Sequence, residues 1–460
     1  MVTARRNRTR ALTLWMNGAF VGTWQLGHGG DVLQYDEQWT RSGLGRPLSL
    51  SLPFRPGNPP HTGDVVRHYF DNLLPDSREI RERIARRYQA ADTDAFGLLA
   101  EVGRDCVGAL QILPADTANA PQLPVEAIHL TEQEIAELLR ETLMPAPLGL
   151  PEAEDFRISI AGAQEKTALL KYLDRWCMPH GPTPTTHIFK LPLGAIGGLK
   201  LDMRDSVENE WLCAKILAAY GMPVAPCDIL TFEDQKVLAV ERFDRQWWMD
   251  PATGQWNLLR LPQEDMCQAT GTPPWQKYES DHGPGMKEIM ELLSGAIDPV
   301  TARRTFFKAQ VLFWMLWATD GHAKNFSIFL KPDGKYELTP LYDVLSVFPI
   351  IGEGPGKLSE HKAAMAMAVR SKNPHRKMRE IQPRHWHGVG MHYGIVTEDG
   401  DGPNAILKEL ADKTPDVISG VRKELPADFP EYVADSILNG LNDSADKLAA
   451  YLRLMATAEN

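Results

Sequence analysis

Residues 11–24 alternate apolar and polar positions around Asn17-Gly18, a pattern that predicts a β-hairpin. Leu48, Leu50 and Leu52 alternate with Ser49 and Ser51 and stop at Pro53, which predicts a short strand. From residue 65 to 88 the period becomes helical, with a break at Pro75 and a charged stretch over 78–87. Residues 107–113 read as a strand, 114–124 as a surface connection and 132–142 as a helix. Pro145, Pro147 and Pro151 mark a boundary. Beyond it, 159–170 and 186–191 read as strands, and 229–232 with 236–240 as a hairpin. Between these, 205–220 is a helix with Asp205 and Ser206 at its start and Gly221 at its end. From about Lys287 helical periodicity dominates, except at 353–357 and in a basic run over 370–386. The pattern predicts an α+β chain in three parts: an N-terminal α/β subdomain (1–150), a small mixed lobe (151–255) and a mostly helical C-terminal lobe (256–460). A small mixed lobe before a larger helical one is the layout of a bilobal kinase, here with an extra domain in front.

Composition narrows the classes. At 460 residues the chain exceeds one ordinary core. A net charge of −11 argues against a nucleic-acid binder over its whole surface, although a local basic patch would be hidden in that sum. No stretch of about 18 apolar residues occurs, so no membrane span is expected. The arginines at 5, 6, 8 and 10 are followed by no apolar segment of a secretory signal. The five cysteines, Cys106, Cys177, Cys213, Cys227 and Cys267, are scattered and form no C-x-x-C pair. They read as reduced thiols of a cytoplasmic protein and as no zinc site.

Candidate chemistry sits where the apolar pattern breaks. Residues 311–318 are apolar and run into Thr319-Asp320-Gly321-His322-Ala323-Lys324-Asn325. Asp-x-x-x-x-Asn is the spacing of a kinase catalytic loop, in which the Asp aligns or deprotonates the attacking hydroxyl and the Asn holds Mg²⁺. An Asp-Gly turn after a buried helix explains Asp320 and Gly321 but leaves Asn325 without a reason. His322 reads as a packing or hydrogen-bonding residue, with no proton transfer, and Lys324 as a cation for the γ-phosphate. Lys190 ends the apolar strand Thr186-His187-Ile188-Phe189-Lys190 and would touch the α/β-phosphates. Taken alone it reads first as a solvated edge-strand lysine. Glu208 and Glu210 follow on the next helix, 18 and 20 residues later, and one of them could pair Lys190. Asp343, 18 residues beyond Asn325, falls on an expected short strand after the turn Pro332-Asp333-Gly334-Lys335 and reads as a second metal ligand. No Phe-Gly follows it. Ser159-Ile160-Ala161-Gly162-Ala163-Gln164-Glu165-Lys166 is a small-residue turn whose backbone N–H groups could cradle phosphate. Val240-Glu241-Arg242-Phe243-Asp244-Arg245 stands where a kinase hinge would meet adenine, with Arg242 and Arg245 read as ordinary exposed charges.

These segments, together with Arg46-Pro47-Leu48-Ser49-Leu50-Ser51-Leu52-Pro53, Phe70-Asp71-Asn72-Leu73-Leu74-Pro75-Asp76-Ser77, Glu101-Val102-Gly103-Arg104-Asp105, Lys166-Thr167-Ala168-Leu169-Leu170 and Leu261-Pro262-Gln263-Glu264-Asp265-Met266-Cys267-Gln268, resemble the HipA family over nearly the full chain. These are the kinase toxins of HipBA toxin–antitoxin modules. The resemblance implies a fold related to phosphoinositide kinases and a serine/threonine-protein kinase using ATP and Mg²⁺. It places the catalytic role at Asp320, the metal at Asn325 and Asp343, and the ATP phosphates at Lys190. ATP contacts would also come from Ser159, Ala161, Gly162, Ala163, Gln164, His322 and Lys324, with adenine at Glu241 and Phe243. It implies an aminoacyl-tRNA synthetase as substrate, glutamyl-tRNA synthetase above all, with growth arrest as the outcome. It further implies autophosphorylation at Ser159 that turns the kinase off, and a helix-turn-helix antitoxin dimer, HipB-like, that carries the toxin to operator DNA. A phosphate adds about −1.5 to −2 charges, which beside the nucleotide's own phosphates would disfavour the ATP-bound loop.

The basic run holding Lys372, Arg376 and Lys377 is a possible DNA-backbone contact, with a solvated face as the equal alternative. Two other functional classes stay open. The constellation does not specify the acceptor, so a small-molecule or lipid-headgroup kinase fits it too. A corepressor without catalysis would have no need of Asp320, Asn325 and Asp343 together.

Overall fold

The computed structural model describes residues 10–115, 125–143, 164–198 and 200–458. Ser159, Ala161, Gly162 and Ala163 lie outside them, as does most of the expected 114–124 connection.

The N-terminal hairpin forms as expected, with Arg10–Met16 antiparallel to Ala19–Gly27. It grows into a five-stranded antiparallel sheet in the order His61–Thr62, Gly30–Tyr35, Ala19–Gly27, Arg10–Met16, Leu110–Pro114. Helices Asp64–Asp71 and Ala95–Val102 close one face. Their apolar stripes meet the inward positions of the strands around Trp24, which stacks on Phe70 with ring centroids 3.8 Å apart. The predicted strand at 48–52 is instead a turn. The two serines take the bonds a neighbouring strand would have offered: Ser49 Oγ and Ser51 Oγ both donate to the Gln268 carbonyl, at 3.0 and 2.7 Å. The Leu50 N–H goes to Glu264 Oε1 at 2.8 Å. The segment thereby becomes a docking turn against the C-terminal lobe.

The small lobe is a six-stranded antiparallel sheet in the order Cys227–Phe232, Gln235–Glu241, His187–Lys190, Lys166–Tyr172, Arg175–Pro179, Ala127–His129. Its last strand and the helix Glu132–Leu143 come from before residue 150. That helix packs Ile135, Ala136 and Leu139 against Leu169, Phe189 and Val237 of the sheet. The sequence division at 150 therefore moves to the stretch ahead of residue 125, because strand pairing and apolar burial join 125–143 to the small lobe.

Helix Ser206–Ala219 lies against the other face and shares the core of the C-terminal lobe. It is buried nearly all round, which explains its weak amphipathic pattern. The C-terminal lobe is built from helices Met286–Leu293, Pro299–Met315, Pro383–His392, Pro403–Glu424 and Glu431–Ala458. Two β units interrupt it. Gln263–Asp265, Ser327–Leu330 and Tyr336–Leu338 form a three-stranded antiparallel sheet, and Ala364–Arg370 pairs with Pro374–Lys377 within the basic run. No described helix is long and apolar enough to cross a membrane. All five cysteines are free thiols, and four of them are buried.

Arg242 and Arg245 are not exposed charges. Their side chains are 1% and 2% exposed. Arg242 meets Asp105 at 3.1 Å and Asp244 at 2.9 Å; Arg245 meets Asp105 at 2.8 Å and Arg260 meets it at 3.2 Å. Burial would raise the Asp105 carboxyl, but three guanidiniums hold it well below the usual range. This network joins the N-terminal domain to the end of the small lobe, and breaking it would leave buried charge uncompensated.

A second buried acid lies at the same junction. Glu264 is fully buried, and burial pushes its carboxyl up to about 8 from an ordinary 4.5. The folded chain keeps this proton where the unfolded chain has lost it, so its contribution to stability is lost as pH rises between those values. Glu264→Gln is expected to gain stability relative to wild type from pH 5 to pH 8, measured by urea denaturation at several pH values. A constant difference across that window would refute the assignment.

Candidate active site

The turn holding Asp320 is set by the helix before it. Asp298 caps the helix Pro299–Met315 by accepting from the Thr301 N–H, and residues 309–315 are entirely buried, so the chain leaves the helix in a fixed place. Gly321 lies so close to Phe313 that a Cβ would meet the ring at 2.5 Å, and only glycine fits. The loop then closes on itself. Asn325 Nδ2 donates to the Asp320 carbonyl at 2.8 Å and to the Asp343 carbonyl at 3.5 Å. Asp343 is not on a strand. It follows a single parallel bridge between Val224 and Leu341 and has a left-handed backbone, with φ of 61°. An Asp tolerates that conformation better than most residues.

Lys190 joins the two halves. Its buried ammonium donates to Glu210 Oε1 at 2.6 Å and to Asp343 Oδ1 at 2.7 Å. Burial alone would make Lys190 easier to deprotonate, but the two carboxylates hold it above its ordinary value. Burial would likewise raise Asp343, and Lys190 with Lys166 pulls it well below the carboxylate range. Glu210 stays raised by burial and by Asp343, partly offset by Lys190.

Three polar residues in a row, Glu208, Asn209 and Glu210, are buried on the helix, and each has its own partner. Glu208 pairs with Lys236 at 2.6 Å, which removes it as the partner of Lys190. Asn209 grips Ser346 in both directions: Asn209 Nδ2 donates to the Ser346 carbonyl at 2.7 Å, and the Ser346 N–H donates to Asn209 Oδ1 at 2.8 Å. Ser346 Oγ donates in turn to the Leu316 carbonyl at the end of helix Pro299–Met315, at 2.6 Å. The Glu210 helix, the Asp343 segment and the helix leading to Asp320 are thus pinned at one point.

Lys166, absent from the residues assigned a role by spacing, stands directly opposite Lys190 in the strand register. No described group accepts a hydrogen bond from its ammonium. Burial lowers it to about 8, against the pull of Asp343 and with the repulsion of Lys190. The His322 ring is buried, and its Nδ1 has no hydrogen-bond partner among the described residues.

Lys324 does not point to this cluster. Its ammonium donates to the Asn72 carbonyl at 3.0 Å, to Asn72 Oδ1 at 2.9 Å and to Asp265 Oδ2 at 2.8 Å, which uses all three protons. It ties the back of the loop to the N-terminal domain. Glu241 is exposed, and its N–H is taken by the Pro226 carbonyl at 2.8 Å. Phe243 lies half-buried against Phe329 and Tyr342. Gln164 Nε2 donates to the Leu191 carbonyl, one residue beyond Lys190. Lys372 is exposed, whereas Arg376 and Lys377 lie within 3.5 and 3.4 Å of Glu279 and Glu380.

The donor set suits a small hard cation. No described residue donates to Asn325 Oδ1 or Asp343 Oδ2, and no described group of three or more His, Cys, Asp or Glu could form a cage. Two protein oxygens, with the rest from water and phosphate, is how Mg²⁺ is usually held.

Asn209→Ala leaves the buried backbone groups of Ser346 unsatisfied. We expect a loss on the order of 1–3 kcal/mol in urea denaturation; an unchanged midpoint would show that the bracket is dispensable.

Comparison with known proteins adds the following. The model for the HipA-like C-terminal domain matches residues 158–418, and that for the HipA N-terminal domain matches residues 12–113. The chain is 34% identical over 346 residues to the putative kinase Y4mE of Sinorhizobium fredii, covering 73% of this chain and 77% of that one. It is 29% identical over 329 residues to the serine/threonine-protein kinase toxin HipA of Shewanella oneidensis, covering 69% and 70%. The HipA chain in the Shewanella oneidensis MR-1 complex of HipA, HipB and operator DNA superposes with a TM-score of 0.76 at 23% identity. That match covers 96% of this chain and 98% of that one, and it establishes the α+β kinase-like fold.

Proposed function

The chain belongs to the HipA family, and from that premise we propose that it is a toxin–antitoxin kinase that transfers the γ-phosphate of ATP to a serine hydroxyl of a protein. The observation that carries this reading is the single Lys190 ammonium bound to both Glu210 and Asp343 beside the Asp320–Asn325 loop. Phosphoryl transfer requires little covalent chemistry from the protein, only a cradle for charge and an aligned nucleophile. Each part has an owner here. Lys190 and Lys166 face the nucleotide phosphates from neighbouring strands. Asn325 and Asp343 would hold Mg²⁺, which neutralises charge on the phosphates when bound. Asp320, whose side chain is 55% exposed, receives the acceptor hydroxyl. Glu241 and Phe243 would meet the adenine through backbone groups, with the Ser159–Gln164 segment covering the phosphates and His322 beside them. Lys324 would serve by fixing the loop rather than by touching the γ-phosphate.

The finer reading follows from the family. The substrate would be an aminoacyl-tRNA synthetase, glutamyl-tRNA synthetase first among them, so that its inactivation stops translation. Ser159 would be the self-inactivating phosphosite. A HipB-like antitoxin dimer would hold the toxin in the cytoplasm and bring it to operator DNA, with Lys372, Arg376 and Lys377 nearest the backbone. The Glu279 and Glu380 contacts of the last two weaken that final assignment.

Asp320→Asn should fold normally, keep its affinity for a non-hydrolysable ATP analogue with Mg²⁺, and lose at least about 100-fold in phosphate transfer from labelled ATP. Wild-type turnover in that variant would remove Asp320 from the catalytic role. No transfer by the wild-type chain to itself or to purified synthetases would count against the kinase reading as a whole.

A further inference from the structure

One contact of the catalytic loop has no counterpart among the residues read from the sequence. Tyr278 lies 42 residues upstream of Asp320, and its phenol donates a hydrogen bond to Asp320 Oδ1. The segment that carries it, residues 271–285, is held from two sides. On one side, Lys277 Nζ reaches Asp76 of the N-terminal domain at 2.7 Å. On the other, the Glu279 carboxylate takes the Ala368 N–H at 2.5 Å and the Arg370 Nε at 3.1 Å. Between these anchors the chain lies against the loop itself, since the Ala323 N–H donates to the Lys277 carbonyl at 3.2 Å. The Tyr278 ring packs edge-to-face on His322, with centroids 4.9 Å apart. A phenol on a segment anchored from both sides, with its ring packed on His322, is a rigid donor.

Asp320 needs such a donor. It sits on a turn and is more than half exposed, so nothing else among the described residues stops its carboxylate from rotating. A carboxylate offers two oxygens, and a charge-assisted hydrogen bond to one of them fixes the plane of both. With Oδ1 held, Oδ2 remains open, 4.0 Å from His322 Nε2 and with no hydrogen bond from a described group. We propose that Tyr278 is a positioning residue for phosphoryl transfer, holding Asp320 Oδ1 so that Oδ2 is presented to the acceptor hydroxyl. The proposal rests on Asp320 being the group that receives that hydroxyl. Alignment of this kind is worth rate because the barrier depends steeply on the approach geometry.

The test is Tyr278→Phe in the full chain. The substitution keeps the ring on His322 and deletes only the hydroxyl. Three quantities are measured beside wild type: single-turnover transfer of labelled γ-phosphate from Mg-ATP to the chain itself, calorimetric affinity for a non-hydrolysable ATP analogue with Mg²⁺, and melting temperature. The expected result is a fall in transfer rate on the order of 10-fold, with nucleotide affinity and melting temperature unchanged. An unchanged rate overturns the proposal. A faster rate also overturns it, because the phenol would then be occupying the acceptor's place. A rate that falls together with nucleotide affinity or melting temperature assigns Tyr278 a merely structural role. A silent wild-type chain counts against the kinase reading and against the proposal that rests on it, whereas an active wild type with an equally active variant counts against Tyr278 alone.

Discussion

The site depends on one buried ammonium shared by two carboxylates. Taking Lys190 and Glu210 out of water, with Asp343 partly so, is costly, and their mutual attraction compensates only if the geometry is tight. The 2.6 and 2.7 Å contacts meet that condition. Because the three residues come from a strand, a helix and an irregular segment, the pairing also fixes those elements against each other. The trio carries one excess negative charge, and Lys166 on the adjacent strand brings a second cation close to Asp343. The result is a compact charged centre held between the small lobe and the C-terminal lobe.

A second constraint comes from the back of the Asp320–Asn325 loop. Lys324 is buried and would be untenable without acceptors; it finds them in Asn72 and Asp265. Lys277 finds Asp76, and the 48–52 turn finds Glu264 and Gln268. Asp105 anchors three arginines at the end of the small lobe. The N-terminal domain is therefore part of the scaffold of the candidate site, and its removal would strand several buried charges.

How much of this could be read from residues depended on whether the decisive contact was local. Asp320 and Asn325 are five residues apart, so their spacing alone announced the loop. Lys190 stood out because a charge at the end of an apolar strand needs a reason, and Asp343 by its place 18 residues beyond Asn325 after a turn. Glu208 and Glu210 could not be separated, since both are buried in the same turn and only the position of Lys236 decides between them. Arg242 and Arg245 looked exposed because arginine usually is, and their shared acceptor Asp105 lies 137 and 140 residues away. The Leu48–Leu52 alternation is identical in a strand and in this turn; serine hydroxyls and a distant glutamate made the difference. Tyr278 left no trace in the spacing, and Lys166 was hidden by the strand that carries it.

The most direct test of the account is a crystal structure with a non-hydrolysable ATP analogue and Mn²⁺ in place of Mg²⁺, located by its anomalous signal. The account predicts a peak shared by Asn325 Oδ1 and Asp343 Oδ2, with the analogue's phosphates against Lys190 and Lys166 and its terminal phosphate facing Asp320. A metal bound elsewhere, or a nucleotide whose phosphates avoid both lysines, would contradict it.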